Sequence, residues 1–222
     1  MSNQLFKKTL SLLSIAGISC GVSCAQAANL PNPLLDEMAA KPGESRVIVV
    51  SGGCFWGIQA VFQHVKGVTK AVSGYAGGSA DTANYETVST GTTGHAESVE
   101  VTYDPAQISA GKLLKVFFSV AHNPTELNHQ GPDTGTQYRS AVFFTTPEQE
   151  KITKAYIAQL DKAAVFSSPI VTQVNALDKF YPAEDYHQNY ARLHPDNPYI
   201  AINDLPKIAD LKKEFSDLYA GE

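Results

Sequence analysis

Hydrophobic positions recur along this chain with two periods, and each change of period marks an element. Val47-Ile48-Val49-Val50 is a short β-branched run ending at Gly52-Gly53, the pattern of a buried strand closed by a turn. From Phe55 the spacing lengthens. Phe55, Ile58, Phe62 and Val65 share one helical face until Gly67 stops the pattern, and Val68 to Ser73 reads as a second strand. A Gly- and Thr-rich loop runs from Gly74 to Gly94, after which Ala96 to Tyr103 alternates as a third strand and stops at Asp104-Pro105. Ser109 can cap a helix that carries Leu113, Val116, Phe117 and Val120, and Tyr138 to Phe144 makes a fourth strand.

The resulting order, β-α-β-β-α-β, predicts a split β-α-β, ferredoxin-like arrangement in the α/β class. It is an α+β two-layer sandwich, with helices packed on an antiparallel or mixed sheet. Thr146-Pro147-Glu148-Gln149 starts a further helix, to about Ala163, with an N-cap, a proline at the first helical position and a capping-box glutamine. Ile170 to Val174 is a candidate fifth strand. Long C-terminal loops lead to a last helix after Asn203-Asp204, with Leu205, Ile208, Leu211, Phe215 and Leu218 on one face.

Composition changes the picture mainly at the N-terminus. Lys7 and Lys8 precede an uncharged run from Thr9 to Ala25, then Ala25-Gln26-Ala27, so residues 1–27 read as a secretory signal peptide. The run is shorter than the roughly 20 apolar residues of a membrane span and is broken by Gly17 and Gly21. A lipoprotein signal using Cys20 or Cys24 is a lesser alternative. Residues 28–45, Pro-rich from Asn29, form an irregular arm outside the core, and residues 46–219 form a single domain. Signal cleavage takes two lysines and moves the formal charge from −5 to −7. No basic cluster remains to track phosphates, which argues against a nucleic-acid partner. The expected product is an exported monomer, periplasmic or secreted, without stable membrane association.

Cleavage also removes two of the three cysteines, and Cys54 is left as the mature chain's single thiol. Cys54 sits where a strand turns into a helix, so its sulfur can meet the unpaired N–H groups of the first helical turn, which favour a thiolate. Alternation puts Glu97 on the same face as Val99, Val101 and Tyr103, where burial would raise its pKa and make it a proton donor near neutral pH. His95 beside it reads as a loop-exposed imidazole. Glu184 and His187 stand three apart. Two ligands do not close a zinc sphere, so no metal is expected and the pair reads as support for Cys54.

Five motifs together resemble the A-type peptide-methionine sulfoxide reductases. They are Gly52-Gly53-Cys54-Phe55-Trp56-Gly57, Gly74-Tyr75-Ala76-Gly77-Gly78, Gly94-His95-Ala96-Glu97, Gly135-Thr136-Gln137-Tyr138-Arg139-Ser140 and Tyr181-Pro182-Ala183-Glu184-Asp185-Tyr186-His187-Gln188. The likeness runs from about Val47 to Leu218. It implies that Cys54 attacks a sulfoxide sulfur, that Glu97 protonates the oxygen, and that methionine leaves as Cys54 becomes a sulfenic acid. It also implies that Tyr85 and Tyr138 hydrogen-bond the oxygen, that Asp133 lines the pocket, and that Phe55 and Trp56 hold the S-methyl group. The family's preference for the S epimer would follow.

The chain departs from many family members in having no cysteine after Cys54. Its sulfenic acid would then need an outside reductant, a small thiol or a thioredoxin-like protein, and no cofactor. Substrates would be oxidised proteins and free methionine sulfoxide. Two other readings use the same residues. One is a cysteine hydrolase with His187 as base; the other is a non-catalytic binding module with Cys54 merely packed.

Overall fold

The structure, a computed structural model, describes residues 30–221 apart from residues 39 and 42. The signal segment, with Cys20 and Cys24, lies outside the described residues. Among the described residues eight strands run β1 (Arg46–Ser51), β2 (Val68–Ala76), β3 (Ala96–Tyr103), β4 (His129–Gln130), β5 (Asp133–Thr134), β6 (Ala141–Phe144), β7 (Gln173–Ala176) and β8 (Phe180–Pro182). The α-helices of the described residues are α1 (Phe55–Gln63), α2 (Tyr85–Val88), α3 (Ala110–Val116), α4 (Pro147–Lys162), α5 (Tyr190–Leu193), α6 (Pro198–Asn203) and α7 (Leu205–Glu214).

Six strands form one mixed sheet in the order β7-β6-β1-β3-β2-β8, and β4 pairs with β5. The central four, β6-β1-β3-β2, are antiparallel throughout, which is the expected split β-α-β arrangement. Two edges go beyond it: β7 adds in parallel to β6, and the short β8 adds to β2. Ile48, Val50, Val99, Val101, Tyr103 and Tyr75 pack on Phe62, Leu113, Phe117 and Tyr156 of the helical layer. The opposite face is thinner, with Val49, Ala76, Ala96 and Phe143 under Leu177 and Phe180.

Several expectations shift for local reasons. Tyr138, the first residue of the expected fourth strand, instead ends a 3-10 turn after Gly135, and β6 begins at Ala141. The fifth strand falls at Gln173–Ala176, three residues later than its apolar run suggests. The presumed loop from Gly74 holds the end of β2 and the helix α2, capped by the Asn84 side chain. Helix α7 stops at Glu214, short of Leu218. Gln149 does not close a reciprocal capping box. Its oxygen accepts from the Thr145 N–H at 2.8 Å, and its amide donates to the Val47 carbonyl at 2.9 Å, tying α4 to β1.

The N-terminal arm is irregular, yet it is not outside the core. Leu30 is buried, and Glu37 and Asp36 accept the N–H groups of Ala110 and Gly111, each at 2.8 Å, satisfying the open start of α3.

Antiparallel pairing focuses the fold on one end of the sheet. The end of β1 lies beside the start of β3, where the Ser51 and Ser98 hydroxyls meet at 2.7 Å, and beside the start of β6, where Ser51 pairs with Ala141. Gly57, in the first turn of α1, lets α7 approach: a Cβ there would fall 2.1 Å from Asp204 Oδ1 and 2.8 Å from Lys207 Nζ. Gly57→Ala should therefore destabilise the fold by about 1–3 kcal/mol through overpacking. Calorimetry would read this as a melting temperature lower by roughly 2–4 °C per kcal/mol; an unchanged value would mean that Asp204 yields freely.

Candidate active site

The turn from β1 into α1 is built tightly. Gly53 has φ +95°, a left-handed value that suits glycine, and its N–H donates to the Tyr138 carbonyl at 3.1 Å. Cys54 follows as the N-cap residue of α1 and is buried. Glu97 enters from the start of β3, and its Oε2 accepts the Phe55 N–H at 3.1 Å. The candidate nucleophile and the candidate acid thus meet at the first turn of α1.

Burial governs both groups. Glu97 is 3% exposed, and its pKa is pushed up to about 8 by desolvation, with the Phe55 N–H pulling it down and the charge of Asp133 pushing it up. Burial also pushes the Cys54 thiol well above its usual range, and the carboxylates of Glu97 and Asp204 add to this. The Trp56 N–H and Lys207 pull the other way and do not offset it. The expectation of a resting thiolate favoured by the helix end is overturned: desolvation outweighs the few N–H groups of one turn. Near neutral pH the resting site holds a thiol and, largely, a carboxylic acid.

Three phenols surround this pair. Tyr85, at the start of α2, and Tyr138, at the end of the 3-10 turn, both have pKa values raised by burial and then by the charge of Glu97, so both stay protonated donors. Asp133 comes from β5, an element with no clear sequence signal, and accepts the hydroxyl of Tyr199. Tyr199 has no motif to mark it, nor does Tyr190, on whose ring Trp56 stacks at 3.9 Å and 13°. Trp56 also meets Tyr199 edge-on at 6.1 Å, while Phe55 packs against Tyr75 at 5.9 Å. The two aromatic residues after the thiol thus form part of a wall that several elements complete.

Glu184 and His187 do come to the site, on a 3-10 turn at Asp185–His187 that Glu184 precedes. Glu184 accepts the Tyr75 hydroxyl at 2.8 Å and the Tyr85 N–H at 2.9 Å. His187 accepts the Trp56 indole N–H at 3.2 Å. His187 makes no hydrogen bond to Cys54, which leaves the hydrolase reading without its base. His95 is corrected too: it is 1% exposed, and its Nε2 meets the Ser79 carbonyl at 2.9 Å.

Comparison with known proteins agrees with this geometry. The family model for peptide methionine sulfoxide reductase matches residues 46–219. The chain is 60% identical over 186 residues to peptide methionine sulfoxide reductase MsrA 2 of Mesorhizobium japonicum, covering 84% of this chain and 94% of that one. It is 50% identical over 190 residues to MsrA 2 of Synechocystis sp., covering 85% and 89%. Among solved structures it is similar to reduced Mxr1 from Saccharomyces cerevisiae, with TM-score 0.66 and 30% identity over 73% of this chain and 91% of that one. It is also similar to methionine sulfoxide reductase A of Corynebacterium diphtheriae, with TM-score 0.59 and 36% identity over 75% and 84%.

The raised pKa of Glu97 has a stability consequence of definite sign. The folded carboxyl holds its proton more tightly than the unfolded one, so its contribution is complete below about 4.5 and is lost as pH rises through about 8. Urea unfolding from about pH 5 to about pH 9 should show wild type losing stability relative to Glu97→Gln, which keeps an acceptor for the Phe55 N–H but cannot ionise. Parallel pH profiles for the two proteins would refute the assignment.

Proposed function

The chain belongs to the peptide methionine sulfoxide reductase family, and from that premise we propose a reaction carried by the Cys54–Glu97 pair. One observation carries it: a buried, proton-holding carboxyl fixed by the amide that follows the thiol. A sulfoxide sulfur becomes electrophilic as its oxygen takes a proton. Glu97 supplies that proton while Cys54 attacks the sulfur, and the proton lost by the thiol returns to Glu97. The attack forms a transient bond between Cys54 Sγ and the substrate sulfur; as the oxygen bonds to Cys54 Sγ, that S–S bond and the sulfoxide S–O bond both break. The substrate leaves as the thioether, and Cys54 is left as a sulfenic acid.

The phenols of Tyr85 and Tyr138 donate to the oxygen as its charge changes, and Asp133 orients Tyr199 at the pocket's rim. Phe55 and Trp56 pack on the S-methyl group, because methyl and sulfur atoms are well held on aromatic faces.

No cysteine follows Cys54, so the sulfenic acid is resolved from outside. A first external thiol condenses with it, releasing water and forming a mixed disulfide. A second thiol then displaces Cys54 as the free thiol. Residues 1–27 support export and removal, which places the donor, a small thiol or a thioredoxin-like protein, in the export compartment.

A single turnover with excess methionine sulfoxide and no reductant should yield about one methionine per chain and a trappable sulfenic acid on Cys54. More than one methionine per chain would contradict storage of the oxygen on one thiol. Cys54→Ser should abolish reduction, and Glu97→Gln should slow the reductive step by on the order of a hundredfold. Assays with dithiothreitol and then with thioredoxin-like donors, run on each sulfoxide epimer separately, test the rest. N-terminal sequencing of the exported chain should begin at Ala28; a retained Met1 would refute cleavage.

A further inference from the structure

His187 takes no part in the chemistry above, yet the aromatic residues of the site converge on it. Its ring centroid lies 5.1 Å from Phe55, 5.7 Å from Trp56, 4.5 Å from Tyr85 and 4.2 Å from Tyr186. The side chain is 2% exposed. Because Nδ1 accepts the indole N–H of Trp56, the imidazole's proton sits on Nε2. That Nε2–H has no hydrogen-bond partner, and the nearest carboxylate oxygen, on Glu184, is 4.0 Å away. The ring is thus held neutral, in one tautomer, by a bond to one side chain.

Trp56 in turn is held from three sides: Tyr190 stacks on its face, Tyr199 meets it edge-on, and His187 takes its only polar atom. Stacking leaves a ring free to slide and turn in its plane. A hydrogen bond at the indole nitrogen removes that freedom.

We propose that His187 is a positioning residue: by accepting the indole N–H it fixes the angle of Trp56, sets the width of the S-alkyl pocket to one methyl group, and releases the wall when it is protonated. This rests on the reading that Phe55 and Trp56 hold the S-methyl group. An imidazolium would turn N–H toward N–H and break the bond. The titratable groups packed around the ring are Glu184 and Tyr186 on its own segment and Tyr85 from α2, with Tyr75 from β2 behind them, bonded to Glu184; α1 presents only the uncharged rings of Phe55 and Trp56. Phenols do not titrate in acid. Glu184 is held below the usual carboxylate range, its burial outweighed by the Tyr85 N–H and the Tyr75 hydroxyl, so it stays ionised across the relevant interval. Burial in turn lowers the pKa of His187 from its ordinary 6.5 against the pull of Glu184.

Trp56 is the chain's single tryptophan, so its fluorescence reads this contact directly. Emission of the wild-type protein should titrate with a midpoint below 6.5, and the transition should vanish in His187→Gln, which keeps an acceptor but no titrating group. With dithiothreitol as reductant, His187→Leu should raise KM for N-acetylmethionine sulfoxide roughly tenfold, with a much smaller change in kcat. It should also narrow the preference over N-acetylethionine sulfoxide, and His187→Gln should restore both. Emission that is flat with pH, a transition that persists in His187→Gln, or unchanged KM and methyl preference in His187→Leu would each overturn the proposal. If the leucine variant does not fold, the wild-type and glutamine titrations decide. A wild-type chain that reduces neither sulfoxide would refute the proposed reaction instead, and the emission titration would still report on His187.

Discussion

The hydrogen bond from the Phe55 N–H to the Glu97 carboxyl group joins the first turn of α1 to the first residues of β3, and the site is organised around it. Only a sheet in which β3 lies between β1 and β2 brings those two points together, because antiparallel pairing sets the start of β3 against the end of β1. The same rule sets the start of β6 against the end of β1, which lets the Tyr138 carbonyl take the Gly53 N–H. Residues more than forty positions from Cys54 therefore reach it without a long loop. The strand register, fixed by the buried Val50–Val99 and Ile48–Val101 pairs, sets the position of Glu97.

Burial has a double effect in such a site. It raises the pKa of Glu97, which suits a donor, and it also raises that of Cys54, which does not suit a free nucleophile. The two effects are compatible if attack and proton transfer are concerted. The thiol then loses its proton only as the sulfoxide oxygen gains one, and no isolated charge is left in the low-dielectric pocket. A resting thiol is also less open to oxidation by other means than a thiolate.

Much of this was legible in the sequence because the fold's centre obeys simple periods. The β-branched run before Gly52-Gly53, the alternation from Ala96 to Tyr103 and the capped starts at Ser109 and Thr146 each point to the element that forms. The face assigned to Glu97 follows from alternation and is the face it occupies. What was not legible depends on long-range packing. Tyr199 and Tyr190 sit in short segments with no clear period, and Asp204 reads in the sequence only as a helix start; all three acquire their meaning where α5, α6 and α7 close over α1. His95 failed for the same reason: its neighbours are loop residues, and the Ser79 carbonyl that accommodates it lies sixteen positions away. Cys54 failed in electrostatics rather than in placement. Local sequence shows the helix end that would lower its pKa, but not the depth of burial that raises it.

The placement of Cys54 also bears on how the catalytic cycle ends. The strand-to-helix turn holds the thiol buried, between a backbone clamped at Gly53 and a helix pressed by Asp204, so little room exists for it to travel to a distant partner within the chain. On the proposed reaction, and with no cysteine beyond position 54, the oxidised residue would wait for a thiol to enter through the route that admitted the sulfoxide. Product release therefore has to precede resolution. Aromatic walls shaped for a methyl thioether would favour that sequence if they hold the sulfoxide, with its oxygen bonded by phenols, more strongly than the thioether that has lost those bonds. On the proposed reaction, the phenols that assist the reduction would then also help to empty the site for the reductant.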